Sequence, residues 1–312
     1  EAPFKRITYK DAMVKYGSDK PDLRNPLFII DLSEFFNKCT FKPFINRTVR
    51  AIKVNGHMSK GFHEKMLNYA MSIGMGGLGY LEVQEDMTFK GPIDKFIPEE
   101  LKKKLLEIAD LQKNDTIFFI ADNEKRATEL AGQIRTELGK RLNLIDNNKF
   151  EFCWIVDFPM FEIDEHDKIQ FSHNPFSMPQ GGLDALENQN PLDILAYQYD
   201  LVCNGIELSS GAVRNHDISI MVKAFEMAGY TEEEVKTKFG ALYTAFQFGA
   251  PPHAGIAPGV DRMLMLLTDS DSIKEVIAFP LNSKAEDLMM GAPGNVNKDQ
   301  LRDVHIKIDI KK

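Results

Sequence analysis

The sequence predicts a mixed α+β protein in which a smaller α+β domain is inserted into a larger domain built on an antiparallel sheet flanked by helices. Two observations predict this fold. Residues 28–122 interleave strand and helix patterns as a unit of their own, whereas the long apolar strands between 152 and 214 follow one another with hairpin-like connections. Connections of that kind favour an antiparallel sheet over parallel strands joined by helices.

Composition and charge exclude several classes of protein. The chain has 312 residues, of which 43% are apolar and 27% charged, as is ordinary for a soluble globular protein. No stretch approaches the roughly 18 consecutive apolar residues of a membrane span, and the N-terminus lacks the apolar core of a signal peptide. The net charge of −8 gives no bulk positive potential for nucleic acid, so any nucleic-acid contact is expected to be local.

Cysteine usage indicates the compartment. Cys39, Cys153 and Cys203 lie far apart and are odd in number, which fits neither a disulfide framework nor a zinc site. We therefore expect a reducing, cytoplasmic setting.

Residues 1–27 are predicted to be an N-terminal piece of the larger domain followed by a linker. A short helical stretch leads into the turn-rich sequence YGSDKPDLRNP, residues 16–26, which is expected to be a surface loop and not the opening of a core. A chain that starts in this way is expected to be part of a longer protein.

Residues 28–122 are predicted to form the inserted domain. The first predicted helix has apolar residues at helical spacing from Phe62 to Ile73, and the second opens with Pro98 at a first-turn position. Since the unit begins just after the loop and closes near Asp122, it has the limits of an insertion. Strands are expected within 27–36, 49–54, 77–83 and 115–122, and helices within 59–75 and 98–111.

Residues 123–312 are predicted to form the core of the larger domain. Its last predicted long helix opens with a capping box, Thr231 with Glu234, and ends at Gly249. A glycine- and proline-rich loop then leads into an apolar run, 263–267, that is expected to belong to a buried helix. The remaining predictions are a helix at 123–144, strands at 152–161, 169–176 and 201–214, a loop at 177–194, and helices at 217–230 and 231–248.

Two polar residues of the strand region, Glu207 and Arg214, lie seven residues apart. In an unbroken strand this separation puts them on opposite faces, but the run Ser209–Gly211 is expected to break the alternation with a turn or bulge, which would let them share a face. The other interpretation is that both are solvated or pair with each other. His173 stands beside a turn fixed by Pro175, where a lone histidine is more often structural than a ligand.

The junction between loop and helix at Gly259 is more informative. Gly255 and Gly259 let backbone approach a ligand closely, and the helix that begins near Gly259 offers N–H groups and the positive end of its dipole to an anion. Arg262 in the first turn is unfavourably placed for that dipole, so its guanidinium is expected to pair with a nearby negative group. Asp261 is one such partner, and a phosphate, which suits the planar guanidinium, is the other.

Taken together, these residues resemble the bacterial-type aspartyl-tRNA synthetases, which are class II enzymes. The sequence GAPPHAGIAPGVDRMLMLL resembles the third class II motif. GIELSSGAVRNHD resembles the strand that supplies a glutamate for ATP and metal and an arginine that recognises aspartate. VDFPMFE and FSHNPFS resemble the strand pair before it. YGSDKPDLRNP and residues 28–122 resemble the linker and the insertion domain of the bacterial type. The resemblance covers nearly the whole chain, with several motifs in family order.

The resemblance implies an ATP site. Arg262 would hold the triphosphate tail, and Glu207, with Ser210 beside it, would bind Mg²⁺ and ATP oxygens. Glu207 and Arg262 would thus be the catalytic residues. The nucleotide site would also be lined by Gly259, Val260 and Asp261.

The resemblance also implies residues that recognise the amino acid substrate. Arg214 would form a bidentate pair with the β-carboxylate of L-aspartate, and His173 would contact the aspartate from a neighbouring loop. The implied activity is activation of aspartate by ATP to aspartyl-adenylate, followed by transfer to the 3′ end of tRNA(Asp). Such transfers depend on positioning and charge, which agrees with the lack of a convincing Ser/His/Asp or Cys/His arrangement in the sequence.

Departures from the family limit what the chain is expected to do alone. Nothing in it resembles the anticodon-binding barrel, the first motif at the dimer interface or the second motif, so we expect a C-terminal portion of a homodimeric enzyme that forms no adenylate by itself. Asn174 stands where many bacterial members have a second histidine. Some bacterial relatives charge both tRNA(Asp) and tRNA(Asn), and both options stay open.

Two rival interpretations remain. One is another adenylate-forming class II enzyme, such as an asparagine synthetase of the ammonia-using type, although the insertion at 28–122 favours the aspartyl enzyme. The other is a non-catalytic binding paralogue that has kept the fold and the insertion but lost the chemistry.

Overall fold

The computed structural model describes residues 2–309, in two units that meet in sequence between Pro258 and Gly259. The strands, all in the first unit, are β1 Lys5–Thr8, β2 Ile29–Asp31, β3 Thr48–Val54, β4 Gly79–Val83, β5 Phe89–Lys90, β6 Thr116–Asp122, β7 Phe152–Pro159, β8 Phe161–Ile163, β9 Ile169–Phe171, β10 Leu195–Cys203, β11 Ile206–Val213 and β12 Ala254–Pro258. The helices are α1 Tyr9–Tyr16, α2 Ser33–Phe36, α3 Lys60–Ser72, α4 Glu99–Ile108, α5 Glu124–Arg141, α6 Gly182–Asn188, α7 Ile218–Met227 and α8 Glu232–Gln247 in the first unit, and α9 Val260–Leu267 and α10 Lys298–Asp303 in the second.

The first of two five-stranded sheets has the strand order β1-β7-β10-β11-β12. The strands from β7 to β12 in this order are antiparallel to one another, as predicted. The turn between β10 and β11 consists of Asn204 and Gly205, with φ of 52° and 83°, and two positive φ values match the twist of a tight hairpin. β1 pairs parallel with β7 and was not predicted, because four residues are too few for a clear alternation.

The second five-stranded sheet has the order β2-β3-β6-β4-β5 and is antiparallel throughout. Its strand β6 is buried on both faces, since successive side chains point to opposite sides. Ile117 and Phe119 pack in a core with α2 and α4, whereas Phe118 and Ile120 pack in a core with α3 and α5. Each such side chain contributes roughly 1.5–3 kcal/mol on burial. β6 is the middle strand of this sheet, and the predicted buried strand is confirmed.

The strand expected at 27–36 is only half correct. It ends at Asp31, whose Oδ1 accepts hydrogen bonds from the backbone N (2.9 Å) and the Oγ (2.6 Å) of Ser33. An aspartate that bonds its own backbone two residues on favours a turn, and α2 follows. Phe36 of α2 is fully buried against Phe119 of β6, so the second half of the predicted strand packs as a helix.

Two further predictions differ from the structure between β8 and β10. Of the strand expected at 169–176 only β9 forms, and it pairs with β8 in a separate two-stranded sheet; Pro175, further along, has no N–H to donate to a ladder. The loop expected at 177–194 contains α6, whose Ala185 and Leu186 are buried. Small and apolar residues in this segment therefore pack as a short helix.

The predicted surface loop at 16–26 is instead fixed to α5. The guanidinium of Arg135, which is 2% exposed, donates to the carbonyl oxygens of Leu27 (2.6 Å), Asn25 (2.7 Å) and Asp22 (3.0 Å). The side-chain amide of Asn25 donates in return to the carbonyl of Arg135 at 2.9 Å. Buried carbonyls need such donors, so one arginine fixes the backbone of this segment at three carbonyl groups.

Two glycines permit this close approach. Gly17 has φ +68°, a conformation that side-chain-bearing residues rarely adopt. A Cβ at Gly132 of α5 would lie 2.3 Å from the carbonyl oxygen of Gly17, closer than atoms can approach. The loop and the helix therefore touch backbone to backbone, and the segment after α1 leaves in a fixed direction.

The capping box predicted for α8 is present and gives a direct test of helix stability. Thr231 Oγ1 accepts from the N–H of Glu234, whose carboxylate accepts from the N–H of Thr231. Thr231→Ala is expected to lower the free energy of unfolding by about 1 kcal/mol, since one N–H at the helix start loses its partner. Chemical denaturation checks this, with Thr244→Ala, an exposed site inside the same helix, as the control. Equal losses for both variants would contradict the capping role.

The second unit is short of buried residues. None of the side chains of α9 is buried, and Val260 and Leu267 are 66% and 71% exposed. The expectation that the apolar run 263–267 belongs to a buried helix is therefore wrong for this unit as described. In residues 2–309 we find no helix with the length and apolar character needed to cross a membrane.

Candidate active site

A bulge in β11 decides which side chains share a face. Leu201 of β10 pairs with Ser209, but the next residue, Val202, pairs with Glu207, so Leu208 has no partner across the ladder. An extra residue in one strand reverses the alternation beyond it. The predicted break is thus present, but it lies at Leu208 and not in the run Ser209–Gly211.

The bulge brings Glu207 and Ser210 to one open pocket of about 600 Å³. A volume of this order is typical of sites for small ligands. His173 lines the same pocket, so three of the residues singled out in the sequence come together. The other lining residues are Asp19, Lys20, Ser172, Asn174, Pro175, Phe176, Gln198 and Asp200.

Lys20 brings a positive charge into this pocket from the loop at 16–26. Its Nζ lies 2.7 Å from Asp19 Oδ2 and 3.5 Å from Glu207 Oε2. Partial burial disfavours the charged ammonium, but the hydrogen bond to Asp19 and the charges of both carboxylates outweigh it and raise the pKa of Lys20. Lys20 therefore stays a cation beside Glu207.

Asp200 of β10 is the most buried carboxylate of the pocket, at 4% exposed. It pairs across the ladder with Ser210. Burial raises the pKa of Asp200, a hydrogen bond from Ser210 acts in the opposite direction, and the negative charge of Glu207 adds to the rise. Among the described residues, Asp200 Oδ1 has no hydrogen-bond partner, although a buried carboxylate oxygen is costly to leave unpaired.

His173 is held at the pocket rim by aromatic contacts. Its exposed ring lies edge-on to Tyr9, at 5.6 Å between centroids, and to Phe158, at 4.9 Å. The loop behind it is fixed because Asn174 Oδ1 accepts from the N–H of Phe176 at 2.9 Å. Burial, with a smaller effect of the Asp19 charge, raises the pKa of the Tyr9 phenol, so Tyr9 packs as a neutral ring.

Arg214 lines a neighbouring pocket and not the one that contains Glu207. Its backbone N–H donates to the carbonyl of His253 at 2.9 Å, and it forms a β-bridge with Ser177. Both pockets are lined by Phe176. The backbone of Arg214 is therefore anchored on two sides. Phe176 lies between its pocket and the pocket of Glu207 and lines both.

The predicted nucleotide residues at the start of α9 lie in the second unit. Gly259 is the N-cap, with φ −85° and no side-chain cap, and the first turn follows as predicted. Arg262 lies in this turn and is exposed, as are Val260 and Asp261. Their contact with a phosphate stays a prediction.

Sequence reasoning missed three charged residues of the pocket. Asp200 had a visible signal, since it is a carboxylate inside the otherwise mostly apolar strand LAYQYDLVC. Asp19 and Lys20 had none, because their position depends on the anchoring of a loop that reads as solvent-exposed. Within residues 2–309 no group of three or more His, Cys, Asp or Glu side chains is arranged to hold a metal ion.

Comparison with known proteins gives one family and close relatives. The family model for class II tRNA synthetases (D, K and N) matches residues 1–283. The chain is 54% identical over 99% of its length to the aspartate–tRNA(Asp/Asn) ligase of Ehrlichia chaffeensis, of which it covers 54%. It is 52% identical over 98% of its length to the enzymes of the same name from Anaplasma phagocytophilum and Wolbachia pipientis subsp. Culex pipiens, covering 52% of each.

The chain therefore spans about half the length of the relatives it matches. Among solved structures, an aspartyl tRNA synthetase from Entamoeba histolytica is 19% identical, with a TM-score of 0.34 over 76% of this chain and 44% of that one.

Proposed function

Since the chain belongs to the class II tRNA synthetases (D, K and N), we propose that the protein that carries it is an aspartate–tRNA ligase. One observation carries the proposal: one pocket on an antiparallel sheet is lined by His173 and, through the bulge at Leu208, by both Glu207 and Ser210. The substrates are L-aspartate, ATP and tRNA(Asp). The relatives named for both tRNA(Asp) and tRNA(Asn) support tRNA(Asn) as a second substrate.

The reaction has two steps, and neither uses a protein nucleophile. In the first, an oxygen of the aspartate α-carboxylate attacks the α-phosphorus of ATP, the bond to the bridging oxygen breaks, and pyrophosphate leaves. In the second, the 3′-terminal ribose hydroxyl of the tRNA attacks the acyl carbon of aspartyl-adenylate, and AMP leaves. The residues of the protein bind, orient and balance charge in both steps.

Although the described residues include no group of three metal-ligating side chains, the carboxylates of Asp200 and Glu207 suit a Mg²⁺ ion that ATP phosphates also bind. Asp200 Oδ1 is buried without a hydrogen-bond partner among the described residues, and Glu207 lies near enough for its charge to act on Asp200. Mg²⁺ in phosphate-transfer sites is bound through one or two carboxylates together with substrate phosphates. We assign Glu207 and Ser210 to this ion, with Asp200 as a further ligand; when bound, the ion neutralises phosphate charge.

Arg214 and His173 are proposed to bind L-aspartate and to distinguish it from other amino acids. The planar guanidinium of Arg214 matches two carboxylate oxygens at once, and its backbone is anchored to His253 and Ser177. His173 is exposed at the rim of the adjacent pocket and held by aromatic rings. A carboxylate bound in this way distinguishes aspartate from asparagine, since the amide lacks the charge and presents a donor.

Arg262 is proposed to bind the phosphates of ATP, with Gly259, Val260 and Asp261 lining the nucleotide. The first turn of α9 has no side-chain cap at Gly259, and uncapped N–H groups attract anions. We further propose a cytoplasmic homodimer, and a division of the chain into 1–27, the insertion 28–122 and the catalytic core 123–312. All strands of the second five-stranded sheet lie between Ile29 and Asp122, which supports the insertion.

Exchange of pyrophosphate into ATP tests the proposal in a protein of the relatives' full length that contains this chain. We expect exchange that requires L-aspartate. Glu207→Gln is expected to raise the Mg²⁺ concentration for half-maximal exchange about tenfold, because a neutral amide binds a hard cation less strongly. Glu187→Gln, at an exposed position of α6, is the matched control and is expected to change nothing.

Exchange that no amino acid stimulates would contradict the proposed function. Exchange that depends on aspartate but responds equally to Glu207→Gln and Glu187→Gln would leave the enzyme in place and remove the assignment of Glu207 to the metal.

A further inference from the structure

We propose that the ammonium group of Lys20 pairs with the Glu207 carboxylate when the site holds no ligand. Lys20 thereby competes with the divalent cation for that carboxylate. The inference rests on the proposed metal site and adds a regulator of its occupancy. It starts from the ion pair between Lys20 Nζ and Glu207 Oε2, at 3.5 Å.

The carboxylates of this pocket favour a nearby cation. Asp200 is buried with one oxygen unpartnered among the described residues, and it lines the same pocket as Glu207. Two neighbouring carboxylates disfavour each other's charged form unless a positive charge is near. Lys20 supplies such a charge from a partly buried position, and its charge acts on Asp200 as well as on Glu207.

A divalent cation cannot join this arrangement without cost. Mg²⁺ bound to a carboxylate oxygen lies about 2 Å from it, whereas the ammonium of Lys20 lies 3.5 Å from the same group of Glu207. The two cations would repel one another in a region of reduced dielectric. Either Lys20 leaves Glu207 or the divalent cation binds weakly.

Asp19 provides a second hydrogen-bond partner for Lys20. Its Oδ2 lies 2.7 Å from Lys20 Nζ, a shorter contact than the one to Glu207, and a lysine side chain is long and flexible enough to turn between neighbouring acceptors. The loop that carries both residues is held by Arg135 through three carbonyls. Lys20 can therefore give up the contact with Glu207 and keep the one with Asp19 while its backbone stays fixed.

The consequence is selective occupancy. Free divalent cation must displace Lys20 from Glu207 and binds weakly, whereas a cation that arrives with ATP brings phosphate charges that attract the released ammonium. The site is thereby loaded with metal and nucleotide together.

Titration of Mn²⁺ alone into the 312-residue chain, followed by electron paramagnetic resonance of the free ion, tests this inference. Lys20→Met is expected to bind Mn²⁺ about tenfold more tightly than wild type, since one charge that competes for Glu207 is removed. Lys20→Arg keeps a cation and is expected to stay near wild type. Lys15→Met, which removes an exposed lysine of α1 that pairs with Asp11, is the control for lost charge outside the pocket.

Thermal unfolding of each variant accompanies the titration, so that a folding defect is recognised. If the methionine variant unfolds, Lys20→Gln, which also removes the charge, takes its place with the same expected result. Equal Mn²⁺ affinity in wild type, Lys20→Met and Lys15→Met would overturn the inference. Weaker binding in Lys20→Met would also overturn it, since Lys20 would then support the site. Glu207→Gln distinguishes a failure of the proposed metal site from a failure of the inference about Lys20. If no variant shows Mn²⁺ binding that depends on Glu207, the proposed metal site itself is wrong.

Discussion

Arg214→Lys is expected to raise the aspartate KM about 100-fold or more, the size of effect found when a charged pair with two hydrogen bonds is broken. A lysine keeps the positive charge, but it offers a point charge where arginine offers two parallel N–H groups. The backbone of Arg214 is fixed by the carbonyl of His253 and by the bridge to Ser177, so the chain has little freedom to bring a shorter ammonium into reach.

Steady-state pyrophosphate exchange at varied aspartate measures this effect in a protein of the relatives' full length. Arg141→Lys is the matched control, because Arg141 lies on the exposed side of α5 and pairs with Glu137, one helix turn earlier. The KM for ATP is expected to stay within about threefold of wild type, since the lost contact is with the amino acid. Unchanged aspartate kinetics in Arg214→Lys would remove its assignment.

Arg135→Met is expected to lower the free energy of unfolding by about 3–5 kcal/mol, which is the effect of breaking a buried network of charged hydrogen bonds. The substitution leaves the carbonyls of Asp22, Asn25 and Leu27 without their donor. It also removes the stacking of the guanidinium on Tyr16, at 5.0 Å. Burial lowers the pKa of Arg135 to about 10, yet it remains charged at neutral pH and able to donate.

Chemical denaturation checks this prediction, with Arg141→Met on the same helix as the control. That variant loses a pair four residues apart on a helix surface, worth about 0.5 kcal/mol at most. Arg135→Lys is expected to recover little, because one ammonium cannot reach three carbonyls. A loss below 1 kcal/mol in Arg135→Met, as an order-of-magnitude limit of roughly one hydrogen bond, would mean that the loop at 16–26 does not depend on this arginine.

Local patterns predicted those elements whose packing they determine. α3 and β6 followed from the spacing of apolar residues, because each buries part of its predicted apolar set: Met66 and Ala70 in α3, and the run from Ile117 to Ile120 in β6. The capping box at Thr231 followed from two residues three apart. The class of sheet followed from the short turn between β10 and β11, which makes these two strands antiparallel.

The candidate site depends on features that no local pattern contains. The bulge was expected, but its position at Leu208 is set by the pairing of β11 with β10. Lys20 reaches Glu207 only because Arg135, more than a hundred positions later in the sequence, holds the loop that carries it. In the same way, α9 has a strongly apolar sequence and buries none of its residues in its own unit. Long-range contacts, which a sequence window does not include, decide all three.

The most direct test of the proposed function compares two ligands that differ in one group. Non-hydrolysable analogues of aspartyl-adenylate and asparaginyl-adenylate are titrated by calorimetry into a protein of the relatives' full length that contains this chain, as wild type and as Arg214→Ala. We expect the aspartyl analogue to bind the wild type at least about 100-fold more tightly than the asparaginyl analogue, and this preference to disappear in Arg214→Ala. Equal binding of both analogues to the wild type would contradict an aspartate site built on Arg214.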